Sequence, residues 1–187
     1  MIRTDRLILR RWTDADLAPF AAMNADPIVM QHMPGPMTDE ASDAFANRIE
    51  RHWEERGWGL WAVEVPDLAP FVGYVGLWPA DYLADGMVEV GWRLASGHWG
   101  NGYATEAARE ALRFGFDEVG LDEIVSFTVP QNVRSRRVME RIGLVRDPAG
   151  DFDHPRVDQV AYPQLVAHVF YRLSRAAWRA RDAHFPE

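Results

Sequence analysis

The sequence predicts a single-domain α/β protein, and three observations support this. Its 187 residues, 48% of them hydrophobic and 26% charged, suit one globular domain with a core of its own. Segments with the two-residue alternation of strands lie between segments with the 3.6-residue spacing of helices. The chain has no internal repeat, low-complexity run or linker, so we expect one domain over residues 1–187.

The first half of the chain carries helix-capping and turn signals. Thr13, followed three residues later by Asp16, is typical of a capping box, and Thr38 precedes the acidic first turn of a second helix. Gly57 ends that helix, and Pro66 indicates a turn between two strands. The elements predicted here are the strand Ile2–Trp12, helices from Thr13 to Asn24 and from Thr38 to Arg56, and the strands Gly59–Val65 and Phe71–Trp78.

Residues 87–108 hold the most informative pattern: a strand, a glycine-rich loop and the start of a helix. On the strand Met87–Leu94, apolar residues alternate with Glu89, so we expect Glu89 to face away from the core. The loop Gly97–Gly102 contains three glycines, which let backbone N–H groups approach a ligand closely. A helix is predicted to begin near Ala104. Loop amides ahead of a helix N-terminus bind phosphate, so this segment predicts a site for a phosphorylated small molecule.

Two common phosphate-binding motifs are excluded. The NTPase loop ends in Gly-Lys-Ser/Thr, and the sequence contains no such triplet. The dinucleotide fingerprint requires a third Gly or Ala at the position that Thr105 occupies here.

The second half of the chain predicts strands and short helices around an irregular segment. Pro130 is expected to end the first of these strands, and Gly143 is predicted to cap the C-terminus of the helix that follows. The elements predicted here are the strand Glu123–Val129, the helix Val133–Arg141, an irregular stretch Asp147–Tyr162, the strand Leu165–Leu173 and a polar helix to Ala183.

Three motifs resemble, in family order, those of the GNAT N-acetyltransferases. Trp99–Ala104 (WGNGYA) resembles their acetyl-CoA pyrophosphate loop, with Trp99 where the family pattern has Arg or Gln. That departure is similar to the branch of ribosomal-protein alanine and serine N-acetyltransferases. Asn132–Met139 with Ile142–Leu144 resembles the Asn-x-x-Ser helix of this branch, and Thr4–Arg10 resembles its first strand. The resemblance spans nearly the whole chain.

This resemblance implies a fold and a reaction. The fold is a mixed, mostly antiparallel sheet of about seven strands flanked by helices. Its fourth and fifth strands, Met87–Leu94 and Glu123–Val129, are expected to splay apart and admit the acyl-pantetheine arm. The reaction is transfer of an acetyl group from acetyl-CoA to a primary amine by direct attack in a ternary complex. The chain has no Cys, which removes the usual covalent route.

The resemblance also assigns roles to individual residues. Glu89 aligns with a strand glutamate that acts as general base, with a solvated carboxylate or a partner of Arg93 as the alternatives. Ser135 resembles the group that hydrogen-bonds the CoA sulfur and reprotonates the thiolate, and Asn132 resembles a contact to the pantetheine arm. Asn132 also stands where an N-cap is preferred. The residues expected to contact acetyl-CoA are Val90, Trp92, Trp99, Gly100, Asn101, Gly102, Tyr103, Ala104, Thr105, Asn132, Ser135 and Arg137.

The charge and composition of the chain indicate which kinds of molecule it is expected to bind. A net charge of −8 disfavours nucleic acid and anionic membranes and favours a cationic partner such as an amine. The six His show no metal-ligand spacing, so no metal is expected. No apolar run is long enough to span a bilayer and the N-terminus lacks a secretory segment, so a cytoplasmic enzyme is expected. The sequence does not decide whether the amine acceptor is a protein N-terminus or a small polycationic amine or drug. A noncatalytic acyl-CoA sensor is the rival function, and a homodimer is left open.

Overall fold

The computed structural model describes residues 1–182, which form an α/β protein of nine strands and five α-helices. These residues divide into two compact units. The first comprises Met1–Leu77 and Gly91–Ala108, and the second comprises Trp78–Val90 and the residues from Arg109 onward. Within residues 1–182, the helices are all too short or too polar to cross a membrane.

The elements follow one another in a mixed order. The strands are β1 (Ile2–Arg3), β2 (Ile8–Arg10), β3 (Leu60–Val65), β4 (Ala69–Pro79), β5 (Val88–Leu94), β6 (Glu123–Thr128), β7 (Val145–Arg146), β8 (Phe152–Asp153) and β9 (Ala167–Ser174). The α-helices are α1 (Leu17–Ala25), α2 (Asp39–Arg56), α3 (Tyr103–Phe114), α4 (Val133–Ile142) and α5 (Arg175–Asp182).

In the first unit, β1 to β4 pair antiparallel in sequence order. The prediction of one strand over Ile2–Trp12 is wrong, because the chain turns between β1 and β2. Thr4 closes that turn: its amide donates to the Leu7 carbonyl at 3.0 Å, and its hydroxyl accepts from the Leu7 amide at 3.0 Å. A β-carbon on Gly73 would lie 2.2 Å from the Arg93 carbonyl oxygen, so β4 and β5 approach closely only with glycine there.

In the second unit, β5 runs parallel to β6, and Glu89 pairs with Val125. The neighbouring β6 and β9 pair antiparallel over six residues, from Glu123 with Ser174 to Thr128 with Val169. Strands β7 and β8 both pair antiparallel with β9. The sheet is therefore mixed and mostly antiparallel, as the resemblance implied. The splay of β5 from β6 stays a prediction.

The capping signals are confirmed, with small shifts of boundary. Thr13 and Asp16 form the expected capping box, but it closes a turn of 3-10 helix ahead of α1. The Thr38 hydroxyl accepts from the Ala41 amide, and Gly57 ends α2 in the left-handed region at φ +74°. Gly143 ends α4 in the same way. The predicted end of the last helix at Ala183 lies outside the described residues.

Asp16 forms the centre of a buried polar cluster in the first unit. Its side chain is only 2% exposed and accepts from Arg10 Nη1 at 2.7 Å and from Arg10 Nη2 at 2.8 Å. The Thr13 amide donates to the same carboxylate at 2.8 Å. Burial alone would raise the pKa of Asp16, but the hydrogen bonds from Arg10 and Thr13 outweigh it and hold that pKa below its usual value. This cluster fixes β2 to the start of α1.

We expect Asp16→Asn to lower the free energy of unfolding by about 3 kcal/mol, near the lower end for a broken buried pair, because Arg10 keeps Glu64 as a partner. Chemical denaturation at pH 7 measures this loss. The pKa of Asp16 is lower in the folded state than in the unfolded state. Its contribution to the free energy of unfolding is therefore present above pH about 4 and decreases as the pH falls further.

Arg11→Gln is the matched control, since Arg11 pairs with Glu50 at the surface, where both side chains are more than a third exposed. It should cost about 0–1 kcal/mol. Equal losses in the two variants would contradict the central role of Asp16.

Candidate active site

The glycine loop has the backbone that the phosphate prediction requires. Gly100 and Gly102 both adopt φ +82°, a region that side chains with a β-carbon rarely enter. Helix α3 begins directly after them, and at its start the Glu106 amide donates to the Gly102 carbonyl at 3.1 Å. The amides of Tyr103 and its neighbours precede that bond and have no acceptor within the helix. The loop therefore presents N–H groups at the positive end of a helix.

A polar network braces this loop, and the sequence analysis missed it. Glu106, in the first turn of α3, accepts from the Thr4 hydroxyl at 2.6 Å and from the Arg6 Nε at 2.7 Å. Arg6 also donates from Nη1 to the Asn101 carbonyl at 2.9 Å, inside the loop. Burial raises the pKa of Glu106, but the hydrogen bonds from Thr4 and Arg6 lower it overall, so Glu106 stays ionised. The start of the chain thus fixes the shape of the loop.

Other residues predicted to contact the cofactor have mixed surroundings. The Trp99 indole nitrogen donates to the Leu94 carbonyl at 2.8 Å, and the Asn101 amide nitrogen donates to the His98 carbonyl at 3.1 Å. These bonds give both side chains a role within the loop. Trp92 is partly exposed, as are Tyr103, Ala104 and Thr105. The Val90 side chain is fully buried, so any contact with a ligand must come from its backbone.

At the start of α4, Asn132 serves as the N-cap. Its side-chain oxygen accepts from the Ser135 amide at 3.2 Å, and its side-chain nitrogen donates to the Thr128 hydroxyl at 3.0 Å. A contact with a ligand would have to share this side chain. The Ser135 side chain is partly exposed in the first turn, and its hydroxyl donates to no other of residues 1–182. Ser135 is therefore held in place while its hydroxyl stays available.

The arginines of α4 differ in their surroundings. Arg136 donates to the Tyr171 hydroxyl at 3.2 Å and to the Pro130 carbonyl at 3.1 Å. These bonds give Arg136 a structural role. Arg137 is exposed, and its contact with acetyl-CoA stays a prediction.

Glu89 lies on β5 in the second unit, and its pKa is higher than that of an ordinary glutamate. Burial raises the pKa of Glu89 to about 8, and the positive charge of Arg156 offsets part of that rise. Arg93, in the first unit, donates from Nη1 to the Asn24 side-chain oxygen at 2.6 Å. A carboxyl group with a pKa near the working pH suits general-base catalysis. The loop lies in the first unit, whereas Glu89, Asn132 and Ser135 lie in the second.

A second polar group accompanies Glu89 in its unit, and the sequence analysis gave it no role. The Tyr82 hydroxyl and the His154 Nε2 lie 3.2 Å apart, and the Arg156 amide donates to the His154 Nδ1 at 3.2 Å. Burial lowers the pKa of His154 to about 4, so the ring is neutral at pH 7. Because Nδ1 is an acceptor, the ring proton must be on Nε2, which donates to Tyr82. The Tyr82 hydroxyl proton is then free for another acceptor.

Residues 1–182 contain no group of three or more His, Cys, Asp or Glu side chains placed to hold a metal ion. The candidate chemistry rests instead on a carboxyl group, a serine hydroxyl and loop amides.

Comparison with known proteins agrees with this geometry. The family described as acetyltransferase (GNAT) domain matches residues 6–145. The uncharacterized N-acetyltransferase YnaD of Bacillus subtilis is 31% identical over 147 residues, which cover 78% of this chain and 83% of YnaD.

Two solved structures share the fold. The GNAT-family acetyltransferase from Bacillus anthracis superposes with a TM-score of 0.77 at 27% identity, over 94% of this chain and 98% of its own. The spermidine N-acetyltransferase from Vibrio cholerae, solved with CoA and spermine, has a TM-score of 0.73 at 18% identity, over 94% and 99% of the two chains. With the loop, the family match and these relatives together, the chain belongs to the GNAT acetyltransferases and is an acetyl-CoA-dependent N-acetyltransferase.

Proposed function

We propose that this enzyme transfers the acetyl group to a primary amine by direct attack on acetyl-CoA in a ternary complex, with Glu89 as general base. The observation that carries the proposal is the position of Glu89 on β5, the strand that leads into the glycine loop, where burial raises its pKa to about 8. An ammonium must lose a proton before it attacks a thioester, and a base of this pKa can accept it near neutral pH. The absence of Cys from the chain favours direct attack over an acyl-enzyme.

The remaining roles follow from the same chemistry. The loop around Gly100 and Gly102 holds the pyrophosphate of acetyl-CoA through its backbone amides. Ser135 donates its hydroxyl proton to the leaving CoA thiolate, and the bond from its amide to Asn132 fixes its position. Holding both substrates in this way converts a bimolecular reaction into an effectively unimolecular one.

The acceptor class is the finer part of the proposal. The resemblance to the ribosomal-protein branch makes a protein N-terminal α-amine one candidate acceptor, and the net charge of −8 makes a small polycationic amine another. A screen of N-terminal peptides, amino acids and polyamines, with released CoA thiol as the readout, separates these classes. A chain that binds acetyl-CoA but releases no thiol with any amine would instead be an acyl-CoA sensor.

Acetyl-CoA should raise the melting temperature of the wild type, and Gly102→Glu should abolish this shift, because a carboxylate at this loop position would repel the pyrophosphate. Differential scanning fluorimetry measures the shift. Gly120→Glu is the matched control: Gly120 has a similar φ of +79°, a new β-carbon there meets no atom within 4 Å, and it lies beyond the other end of α3. Loss of the shift in both variants, or in neither, would exclude the loop as the site.

Glu89→Gln should lower kcat by about 10²–10⁴-fold and remove the contribution of Glu89 to the rise of rate with pH, which we expect in the wild type up to about pH 8. The reason is that an amide cannot accept the proton. Initial rates from pH 6 to pH 9.5 measure both effects. Full activity of the variant on the true acceptor would transfer the role to an ordered water chain or another residue.

The same variant also makes a stability prediction that does not need a substrate. A folded-state pKa above the unfolded value means that wild-type stability declines as pH rises from about 4 to about 8. Glu89→Gln lacks this decline, so it should melt at a higher temperature than wild type above pH 8.

Ser135→Ala should lower kcat by tenfold or more, within the usual range for a general acid, while the affinity for CoA changes little. Stopped-flow kinetics and calorimetric titration with CoA separate the two quantities. Ser174→Ala is the control, because among residues 1–182 the Ser174 hydroxyl takes part only in a local bond, which it accepts from the Ala177 amide. Wild-type turnover in Ser135→Ala would remove the proposed role.

A further inference from the structure

Strand register places Glu89 on a face of the sheet that is covered by rings. Paired residues point to the same face, so Glu89 shares a face with Val125, and Phe127 follows two positions further along β6. Phe127 pairs with Phe170 on β9, and His168 on β9 pairs with Phe152 on β8. The rings of Phe127 and Phe152 are in edge-to-face contact, with centroids 5.2 Å apart.

This ring cluster is uncharged and incompletely buried. Tyr82 and His154 extend it, with ring centroids 5.2 Å apart. Burial lowers the pKa of His154 and of His168, so neither carries a charge at pH 7. Phe127, Phe152, Tyr82 and both histidines each keep part of their surface exposed. The cluster thus offers an apolar wall on the same face as Glu89.

Arg156 supplies a positive charge at this wall. Its guanidinium carbon lies 4.1 Å above the centre of the Tyr82 ring, and the side chain is exposed. A guanidinium stacked in this way keeps the edges of its plane open for hydrogen bonds to a carboxylate. It makes no ion pair within 4 Å among residues 1–182, although its charge acts on Glu89. One carboxyl group, that of Glu89, and one guanidinium group, that of Arg156, therefore border the same ring cluster.

We propose that the acceptor is a hydrophobic amino acid or its close analogue, with its amine directed to Glu89, its carboxylate held by Arg156 and its side chain against the ring cluster. This inference rests on the proposed function and names the substrate class of that site. A polyamine lacks a group for Arg156 and places a second ammonium beside it, which costs binding energy. A protein N-terminus supplies the amine but no neighbouring carboxylate.

The test compares two acceptors with three proteins, namely the wild type and two variants of Arg156. L-phenylalanine and L-phenylalaninamide differ at the carboxylate, and Arg156→Gln removes the guanidinium. Wild type should prefer the carboxylate by about tenfold or more in kcat/KM, the range for a hydrogen bond between charged groups. Arg156→Gln should lose that preference, and Arg156→Lys should restore part of it. Because the two amines have different pKa values, rates are compared at pH 9.5 as well as at pH 7.5.

Arg48→Gln is the matched control, because Arg48 is also exposed and stacked over a ring, that of Phe45, in the first unit. It should leave the preference unchanged. Equal kcat/KM values for the two acceptors with wild type, or a preference that survives in Arg156→Gln, would overturn the inference. So would a higher kcat/KM for spermidine or for an N-terminal peptide than for L-phenylalanine.

Different results would overturn the proposed function and the inference about the acceptor. Acetylation of other amines with no preference for the carboxylate leaves the proposed function intact and removes this inference. If no amine is acetylated, the proposed function fails, and calorimetric titration of the CoA-saturated protein with the same two compounds still tests the site. Tighter binding of L-phenylalanine that disappears in Arg156→Gln would then support it, and equal binding would overturn it.

Discussion

The parallel register of β5 against β6 is the constraint on which the candidate chemistry depends. Glu89 pairs with Val125, and the buried Ser126 hydroxyl donates to the Val90 carbonyl at 2.9 Å, one residue further on. A buried carbonyl without such a donor would cost about 1–3 kcal/mol. A slip of one residue would turn Glu89 to the opposite face. The surroundings of the carboxylate therefore follow from how two strands pair.

Those surroundings explain why Glu89 resists ionisation. The face that it shares is covered by phenylalanine rings and by histidines that burial keeps neutral, and little on that face compensates a negative charge. Arg156 compensates part of it from an exposed position. Ionisation of Glu89 lowers the stability of the folded protein at alkaline pH. The same burial gives a carboxyl group whose pKa lies close to neutral pH. The same rings and the same arginine border the space where we place the acceptor.

Local motifs made the loop and the caps predictable. The left-handed glycines 100 and 102 have few alternatives in such a turn, and the capping box at Thr13 and the N-cap at Asn132 are set by residues three positions apart. The strand predicted over Ile2–Trp12 failed because a turn at Thr4 interrupts an otherwise strand-like sequence. The bracing of the loop by Arg6 and Glu106 joins residues 100 apart, and no local pattern announces it.

The sequence by itself determined the family, the fold class and the glycine loop that precedes α3, because each depends on short-range periodicity or on a contiguous motif. Only the tertiary structure decided what surrounds that carboxylate. Tyr82, Phe127, His154 and Arg156 are scattered along the chain and meet through the pairing of β6, β8 and β9. Desolvation and charge are sums over neighbours in space, so the pKa of Glu89 and the proposed preference for a carboxylate could emerge only from the folded chain.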